Sequence, residues 1–347
     1  MAFSHQDSQC MALALKLSTK GRSTVGANPM VGCVITRDSK VIAQDYHHEY
    51  GKAHAEVNAL DQIKHQAKDT IMYVTLEPCS HQGKTPPCTK AIVKSGAKKV
   101  IVAMLDPNPM ICGRGVNLLQ DAGIEVDVGL LENEARELNR GFVKRMLTGL
   151  PFVTSKIAMS LDGKTAMSSG ESKWITSQQS RNDVQKLRCN NQAIMTGSGT
   201  VISDNPSLTV RLNDSEISPL RVVIDSGNKI TNQKLNIFSS DASTLVLNSN
   251  NSSMLSNGKI DLKAVLIKLG EMGINNLLVE AGSGLNGAML EAGLIDEYII
   301  YTAPIILGSD AQSMIQIPLT KMAEKINLDI VDIRNIGEDI KIKAIPR

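Results

Sequence analysis

The 347-residue sequence has little excess charge, few cysteines and no long apolar run. Its formal net charge of +2 argues against a surface dedicated to nucleic acid or to a membrane, because neither sign dominates. No apolar stretch approaches the roughly 20 residues that span a bilayer. The opening "MAFSHQDSQCMALALKL" is a poor secretory signal, because it carries an acid and no cleavage-like site of small residues. Six scattered cysteines fit reduced thiols better than a disulfide framework, so a cytoplasmic enzyme or binding protein is expected.

The length suggests about two domains. From residue 1 to about 147, helical apolar spacing alternates with short β-rich runs, including the hairpin-like pair "MVGCVIT" and "KVIAQDY". This order predicts an α/β layer structure with a mixed sheet, ending in "ENEARELNRGFVKRM" as one charged amphipathic helix. "TGLPF" at 148–152 breaks that helix and acts as a linker. A different α/β alternation follows without an internal repeat, so two unlike domains are predicted, 1–147 and 151–347.

Residues on both sides of one predicted strand have the chemistry of a zinc site. His54 and Glu56 lie in the first turn of a predicted helix. Cys79 ends the next strand, where a helix N-terminus favours a thiolate, and Cys88 begins the following helix after two prolines. One His and two Cys leave the fourth tetrahedral position to water, which is typical of a catalytic zinc. Zinc lowers the pKa of that water toward about 7, and Glu56, which is not a ligand, can carry its proton.

The spacing of the cysteines leaves alternatives open. Eight residues separate Cys79 from Cys88, whereas the zinc-deaminase pattern H-x-E…P-C-x-x-C, which the chain otherwise resembles, has two. His81, inside this insertion, is a rival ligand. A zinc site without chemistry is a second alternative, although it leaves Glu56 without a function. The other cysteines fall in apolar patterns and are expected in the core: Cys10, Cys33, Cys112 and Cys189.

Two unrelated sets of motifs follow one another along the chain. "NPMVGCVI", "HAEVNAL", "TLEPCSHQGKTPPC" and "DPNP…GRG" precede "SLDGKTA", "SGESKWIT", "DNPSLTVR", "VIDS" and "VEAGSGLNGAML". Both sets resemble the bifunctional riboflavin-biosynthesis deaminase–reductase family, in its order and with its long cysteine spacing, over nearly the whole chain. One departure is Lys52-Ala53, where many relatives carry a proline. The resemblance implies an α/β fold with an N-terminal cytidine-deaminase-like three-layer domain and a C-terminal dihydrofolate-reductase-like domain.

A glycine-rich turn lies between an apolar strand and a helix of the second domain, at Gly282, Gly284 and Gly287. Backbone N–H groups at such a turn suit a pyrophosphate, but similar turns also occur for packing alone. The turn lies late in the domain, and no acidic residue closes a following strand as a Rossmann ribose contact requires. The domain is therefore predicted to be non-Rossmann, and the resemblance implies that it binds NADPH.

The resemblance also implies which residues of the second domain form its sites. Its NADPH positions are Ala158, Trp174, Thr200, Asp204, Ser226, Gly282, Ser283, Gly284, Leu285, Asn286, Gly287 and Ala288. Its substrate positions are Ser172, Arg188, Leu208, Arg211 and Glu280.

The chemistry of the side chains agrees with several of these positions. The forked donors of Arg188 and Arg211 suit a phosphate. Trp174, the one tryptophan, either covers a cofactor face or lies in the core. Asp204 precedes "NP" in a turn, where it binds a hydroxyl or caps the turn, and Lys156 on the first strand faces either the substrate or solvent.

The residues alone support a zinc deaminase fused to a nucleotide-binding domain. The resemblance implies riboflavin biosynthesis: hydrolytic deamination of 2,5-diamino-6-(5-phosphoribosylamino)pyrimidin-4-one, then NADPH reduction of the product's ribosyl group to ribityl. Expected cofactors are Zn and NADPH, and the expected partner is this small-molecule phosphate, with no nucleic acid and no membrane. The alternative is a nucleoside or tRNA-base deaminase with a fused nucleotide-binding domain; near-neutral charge disfavours the tRNA form. A non-catalytic zinc-dependent binding protein is a further alternative. A homo-oligomer is allowed by the sequence but not indicated.

Overall fold

In the computed structural model the chain divides into two compact units, Met1–Gly149 and Leu150–Arg347. The structure describes residues 3–212, 218–252, 254–256 and 258–347. Gly149 takes the left-handed conformation, at a φ of 76°, that closes the last helix of the first unit. Among the described residues, no helix is both long enough and apolar enough to cross a membrane.

The first unit alternates helices and strands along the chain. Its elements are α1 (His5–Ser18), β1 (Gly32–Arg37), β2 (Lys40–Tyr46), α2 (Ala55–Gln62), β3 (Ile71–Val74), α3 (Cys88–Ser95), β4 (Lys99–Val102), α4 (Arg114–Asp121), β5 (Glu125–Val128), α5 (Glu132–Leu138) and α6 (Arg140–Thr148). The predicted alternation of helices and strands is therefore confirmed in this unit.

A five-stranded mixed sheet in the order β2-β1-β3-β4-β5 organises the first unit. β1 pairs antiparallel with β2 and β3, whereas β3, β4 and β5 run parallel. The inner strands β1, β3 and β4 are almost wholly buried, because their near-continuous apolar residues join the core on both faces of the sheet. The predicted mixed sheet and β1–β2 hairpin are confirmed.

The end of the first unit differs from the prediction of one helix over 132–146. Two helices form, α5 and α6, and Asn139 separates them at a φ of −106°. The Asn139 Oδ1 accepts the Met30 N–H at 2.8 Å, and Asn139 Nδ2 donates to the Met30 carbonyl at 2.9 Å. This buried side chain satisfies both backbone groups of Met30, and the helix breaks at the residue that is held there.

The second unit also alternates strands and helices. Its elements are β6 (Phe152–Ser160), β7 (Lys164–Ala166), α7 (Gln178–Cys189), β8 (Ala193–Gly197), α8 (Ser198–Asp204), β9 (Leu220–Asp225), β10 (Thr244–Asn248), β11 (Leu255–Ser256), β12 (Lys259–Ile260), α9 (Leu262–Glu271), β13 (Asn276–Val279), α10 (Ser283–Glu291), β14 (Glu297–Ala303), β15 (Gln312–Ser313), β16 (Leu328–Ile336) and β17 (Asp339–Pro346).

An eight-stranded sheet in the order β10-β9-β8-β13-β6-β14-β17-β16 organises the second unit. The strands from β10 to β14 run parallel, and the hairpin of β17 and β16 adds antiparallel strands at one edge. The sequence pattern did not predict this hairpin, because a bulge between Ile330 and Asp332 interrupts the alternation in β16. Since β6, β8, β9 and β13 are parallel, their carboxyl ends share one edge, where ligands of open α/β sheets bind.

The expectation that four cysteines lie in the core is partly wrong. Cys10 and Cys33 are buried. Cys112 is exposed and Cys189 is partly exposed, because Cys112 lies in the turn before α4 and Cys189 is the last residue of α7.

Candidate metal centre and cofactor site

His54, Cys79 and Cys88 lie together in the first unit. Their ligand atoms are all within 4.8 Å of one another. The His54 Nδ1 atom is 3.5 Å from the Cys79 Sγ atom and 3.3 Å from the Cys88 Sγ atom. Neighbouring ligands of a tetrahedral zinc lie about 3.5 to 3.8 Å apart, given Zn–S and Zn–N bonds of about 2.3 and 2.0 Å. The three side chains therefore fit zinc. His81 lies in the same cleft, outside this cluster.

Strand and helix ends bring the three side chains together. His54 is the N-cap residue of α2, but its side chain makes no capping bond and faces the cysteines. Cys79 follows the end of β3, and Cys88 is the first residue of α3, directly after the N-cap residue Pro87. The Cys88 N–H donates to the Cys79 Sγ at 3.2 Å, so a helix start stabilises negative charge on that sulfur.

Hydrogen bonding within the cluster sets the charge of each ligand. The bond from the Cys88 thiol, supported by His54, holds the pKa of Cys79 well below its usual range despite burial. The same bond, together with burial, raises the pKa of Cys88. The bond to Cys79 raises the pKa of His54. The cluster is thus a soft donor set with negative charge on sulfur, which suits a zinc dication.

Glu56 lies beside this cluster in the first turn of α2 and is only 3% exposed. Burial raises the pKa of its carboxyl to about 7. Its Oε2 atom is buried and has no hydrogen-bond partner among the described residues. An unpaired buried oxygen costs free energy, and a pKa near 7 suits acid–base work at neutral pH. Both properties are typical of a group that takes its partner from a bound ligand.

A cleft of about 330 Å³ opens onto the metal cluster and Glu56. Sequence reasoning missed several polar residues that line it. They are Asn28, His47, Lys52, Lys84, Asp106 and Asn108. The signal for Asn28, Asp106 and Asn108 was present in "NPMVGCVI" and "DPNP…GRG", motifs that supported the family resemblance but received no role.

His47 orients the ligand His54. The two rings meet edge to face, with their centroids 5.1 Å apart. Burial lowers the pKa of His47, which favours the neutral ring. The His47 Nδ1 is 3.0 Å from the Ala53 carbonyl, and the Asn28 Nδ2 is 3.0 Å from the His47 Nε2. The His47 Nδ1–H therefore donates to Ala53 and the Nε2 accepts from Asn28. The bond to the Ala53 carbonyl also secures the chain directly before His54.

Glu77 builds the wall of the cleft that contains Asp106 and Asn108. Its buried carboxylate accepts four backbone N–H groups, from Asp106 (3.0 Å), Gly113 (2.9 Å), Gly115 (2.7 Å) and Val116 (3.3 Å). A Cβ atom on Gly115 would lie 2.1 Å from the Pro78 carbonyl oxygen, so only glycine fits there. The "GRG" motif thus serves close backbone approach at the site.

In the second unit, a first group of predicted residues meets at the carboxyl edge of the sheet. The Ser172 hydroxyl donates to the Asp204 Oδ1 at 3.0 Å, and the Lys173 ammonium donates to the Asp204 carbonyl at 2.8 Å. The Gly282 N–H donates to the Thr200 Oγ1 at 3.2 Å. Ser172, Thr200, Asp204 and the glycine turn are therefore brought to one region around α8.

A second group centres on Glu280. The Arg188 Nε and NH2 groups donate to its two oxygens at 2.6 and 3.1 Å, and the Lys156 Nζ lies 3.6 Å from Oε2. Burial raises the pKa of Glu280, but Arg188 and then Lys156 outweigh burial and lower it to about 2. Arg188 also donates to the Thr209 carbonyl at 3.1 Å. Its donors are thus engaged by the protein, and Lys156 faces this ion pair rather than open solvent.

The glycine turn presents one open side and one packed side. An added Cβ atom on Gly284 would meet nothing within 4 Å, and one on Gly282 only the Thr200 hydroxyl at 3.8 Å. A Cβ on Gly287 would lie 2.0 Å from the Gln316 carbonyl oxygen. Gly287 therefore serves packing. Leu285 also packs against the core, while Ser283 begins α10 and Ala288 lies within it.

The remaining predicted residues occupy different settings. Trp174 is 68% exposed with the Arg181 guanidinium 4.5 Å from its ring centroid, so the core alternative is excluded. Ala158 lies on β6, and the Ser226 hydroxyl accepts the Ile260 N–H at 3.1 Å just after β9.

Two further residues on the predicted substrate list lie on the chain segment after α8. Leu208 is buried and has a φ of 49°. The Arg211 side chain is exposed, while its backbone N–H donates to the Gln185 Oε1 at 2.9 Å.

A second glycine turn, Gly197-Ser198-Gly199, joins β8 to α8 and lies beside the first. The repeated "GSG" in the sequence indicated this turn but was not used.

Comparison with known proteins supports both units. Residues 4–104 match the cytidine and deoxycytidylate deaminase zinc-binding region, and residues 151–342 match the RibD C-terminal domain. The riboflavin biosynthesis protein RibD of Escherichia coli is 44% identical over 98% of this chain and 99% of its own length. That of Haemophilus influenzae is 42% identical over 100% and 99%.

Solved structures agree over the full length. Acinetobacter baumannii RibD superposes with a TM-score of 0.92 at 41% identity, covering 99% of both chains. A Thermotoga maritima deaminase/reductase superposes with a TM-score of 0.90 at 32% identity, again over 99% of both chains.

Fold and site together define a zinc-dependent deaminase of cytidine-deaminase-like fold joined to a dihydrofolate-reductase-like, NADPH-dependent reductase. The alternative of a nucleoside or tRNA-base deaminase with a fused domain is not favoured, because the relatives match both units at once. The chain belongs to the RibD family of bifunctional riboflavin-biosynthesis enzymes.

Proposed function

We propose that residues 1–147 deaminate 2,5-diamino-6-(5-phosphoribosylamino)pyrimidin-4-one and that residues 151–347 reduce the ribosyl group of the product to ribityl with NADPH. The substrate follows the Thermotoga maritima relative, described as a diaminohydroxyphosphoribosylaminopyrimidine deaminase and 5-amino-6-(5-phosphoribosylamino)uracil reductase. The observation that carries the deaminase assignment is the buried Oε2 atom of Glu56, which has no hydrogen-bond partner among the described residues and lies beside His54, Cys79 and Cys88.

In the deamination, water replaces the 2-amino group and ammonia leaves. His54, Cys79 and Cys88 would hold zinc, which would lower the pKa of a bound water and make it available for attack at neutral pH. Glu56 accepts a proton from that water at Oε2 and delivers it to the departing amine. Glu56 is buried beside the three ligands, where its carboxyl can take up a proton and release it again.

The cleft suits a phosphorylated pyrimidine. Lys52, Lys84 and His81 line it and offer cationic or donor groups to a phosphate. Asn28 and Asp106 offer a donor and an acceptor to the ring edge. Positive and polar groups thus occur in the same cleft as the acid–base residue.

In the reductase unit, we assign phosphate recognition to Arg211 rather than to Arg188. The Arg188 fork is engaged by Glu280 and Thr209, whereas the Arg211 side chain is exposed. The open glycine turn offers backbone N–H groups to the NADPH pyrophosphate. The protein's contribution to hydride transfer is to hold cofactor and substrate in position.

The chain is proposed to act in the cytoplasm on small molecules, as a homo-oligomer and without nucleic acid. A reducing compartment is favoured because two of its free thiols are the proposed zinc ligands. The net charge of +2 supports the absence of a nucleic-acid surface. Exposed apolar residues on β16, including Ile330 and Ile333, support contact with a second copy.

The deciding experiment is mass spectrometry of the products formed from the diaminopyrimidine phosphate by zinc-loaded protein. Without NADPH, the product is expected to have exchanged one amino group for oxygen; with NADPH, it should also have gained two hydrogens. Glu56→Gln is the matched variant: it should stop the first exchange and still reduce the deaminated compound. Failure of the wild-type protein to deaminate this substrate in the presence of zinc would refute the proposal.

A further inference from the structure

Asn286, which lies in the predicted cofactor loop, makes its side-chain contacts inside the protein. It is 1% exposed. Its Oδ1 accepts the Ser155 hydroxyl at 2.8 Å, and its Nδ2 donates to the Ala281 carbonyl at 2.8 Å. Ser155, on β6 in the middle of the sheet, is itself fully buried. Ser155 on the sheet therefore fixes the Asn286 carboxamide, and the carboxamide in turn fixes Ala281, the residue before the glycine turn.

The peptide unit that joins Ala281 to Gly282 is fixed on both sides by side chains. Its carbonyl accepts from Asn286 Nδ2, and its N–H donates to Thr200 Oγ1 at 3.2 Å. A peptide plane with both polar groups bound cannot rotate without breaking a hydrogen bond. The direction in which the chain enters α10 is therefore set by Asn286 and Thr200.

The N–H groups of the first turn of α10 depend on that direction. They have no acceptor inside the helix, and they follow Gly282 and Gly284, whose open sides leave room for a ligand. We propose that Asn286, held by Ser155, is a positioning residue that aims these N–H groups at the NADPH pyrophosphate. The inference rests on the proposed reductase function and assigns Asn286 no direct contact with the cofactor.

Asn286→Leu tests this role because it keeps the side-chain size and removes both hydrogen bonds. The Ala281 carbonyl loses its partner, and where the turn relaxes to regain one, binding of NADPH must restore the original backbone conformation. We expect the Kd and KM for NADPH to rise about 10-fold or more, which corresponds to about 1.4 kcal/mol. The kcat for reduction at saturating NADPH should change less than about twofold, and zinc content and ammonia release should stay at wild-type levels.

Thr244→Val is the matched control. Thr244 lies on the edge strand β10, and its hydroxyl donates to the Ile237 carbonyl at 2.7 Å. The substitution therefore also removes a side-chain hydrogen bond to a backbone carbonyl. It should lower stability and leave the KM for NADPH unchanged. Ser155→Ala is the milder variant, needed if Asn286→Leu does not fold, and it should raise the KM in the same direction by about threefold.

The outcomes separate the two proposals. Wild-type protein that fails to bind NADPH in calorimetric titration refutes the reductase function itself. The positioning role alone is overturned if the wild-type protein binds NADPH and folded Asn286→Leu has a KM for NADPH within twofold of the wild-type value. If Asn286→Leu does not fold, the same result in Ser155→Ala overturns it. The same KM rise in Thr244→Val would also overturn it, since loss of a side-chain hydrogen bond elsewhere in the unit would then suffice.

Discussion

Glu280→Gln probes the ion pair at the centre of the reductase unit. Both carboxylate oxygens of Glu280 accept hydrogen bonds from Arg188, and Lys156 lies nearby. Its pKa of about 2, against 4.5 in an unfolded chain, corresponds to about 3 kcal/mol of stability at neutral pH. The substitution removes this charge and leaves the buried guanidinium of Arg188 without its anion, a loss of about 3–5 kcal/mol.

The pH dependence has a defined sign. Because the folded pKa is the lower one, the contribution is complete above pH 4.5 and is lost as the pH falls toward 2. At pH 3.5 about 2 kcal/mol should remain. The difference in unfolding free energy between wild type and Glu280→Gln should therefore shrink by about 1.4 kcal/mol between pH 7 and pH 3.5.

Trp174 provides the assay. It is the one tryptophan, it lies in the second unit, and its ring contacts the Arg181 guanidinium at 4.5 Å, so its fluorescence reports the loss of this contact as that unit unfolds in urea. Asp329→Asn is the control, because it breaks the exposed Asp329–Arg347 pair, where little stability is expected. A Glu280→Gln cost no larger than that of the control, or one that does not shrink at pH 3.5, would refute the argument. Ammonia release should be unaffected.

Further expected outcomes concern the metal cluster and the glycine turn. Metal analysis should find one zinc per chain, largely lost in Cys88→Ser and retained in His81→Ala; the reverse result contradicts the ligand assignment. Glu56→Gln should keep its zinc while ammonia release falls by 10²–10⁴-fold, the usual cost of lost acid–base catalysis, and equal damage to reduction would contradict separate sites. Gly284→Val should weaken NADPH binding in calorimetry with little loss of stability, because its Cβ meets open space. Gly287→Ala should instead lower the unfolding temperature, because its Cβ would lie 2.0 Å from the Gln316 carbonyl oxygen, and the opposite pattern would refute the two roles.

The candidate metal cluster was accessible from sequence because its signals are local. His54 and Glu56 lie at the start of one helix, Cys88 begins the next helix, and Cys79 lies in the loop after a strand that is recognisable in the sequence, although that strand ends at Val74 and not at Cys79 as predicted. The structure brings the three ligand atoms within 4.8 Å, while zinc occupancy stays a prediction. The orientation of His54 by His47 was not accessible, because it depends on a ring packed across a chain turn.

Long-range polar contacts account for most of what sequence reasoning missed. Arg188 was predicted to suit a phosphate from its side-chain chemistry alone, but its partner Glu280 lies 92 residues away. Nothing in the pattern around either residue indicates that they meet. The β16–β17 hairpin was missed for a different reason, since its bulge and its exposed apolar residues do not give the alternation expected of a half-buried strand.

The amide of Asn139 determines where the deaminase unit can be cut. It satisfies both backbone groups of Met30, 109 residues earlier, at the start of the sheet that carries the metal cluster. The zinc-binding family region ends at residue 104, but a chain shortened to that point would leave Met30 with two unsatisfied polar groups. A separately expressed deaminase must therefore extend past Asn139, and the compact unit ends at Gly149, so a scaffold contact and not the catalytic motifs sets the minimum length.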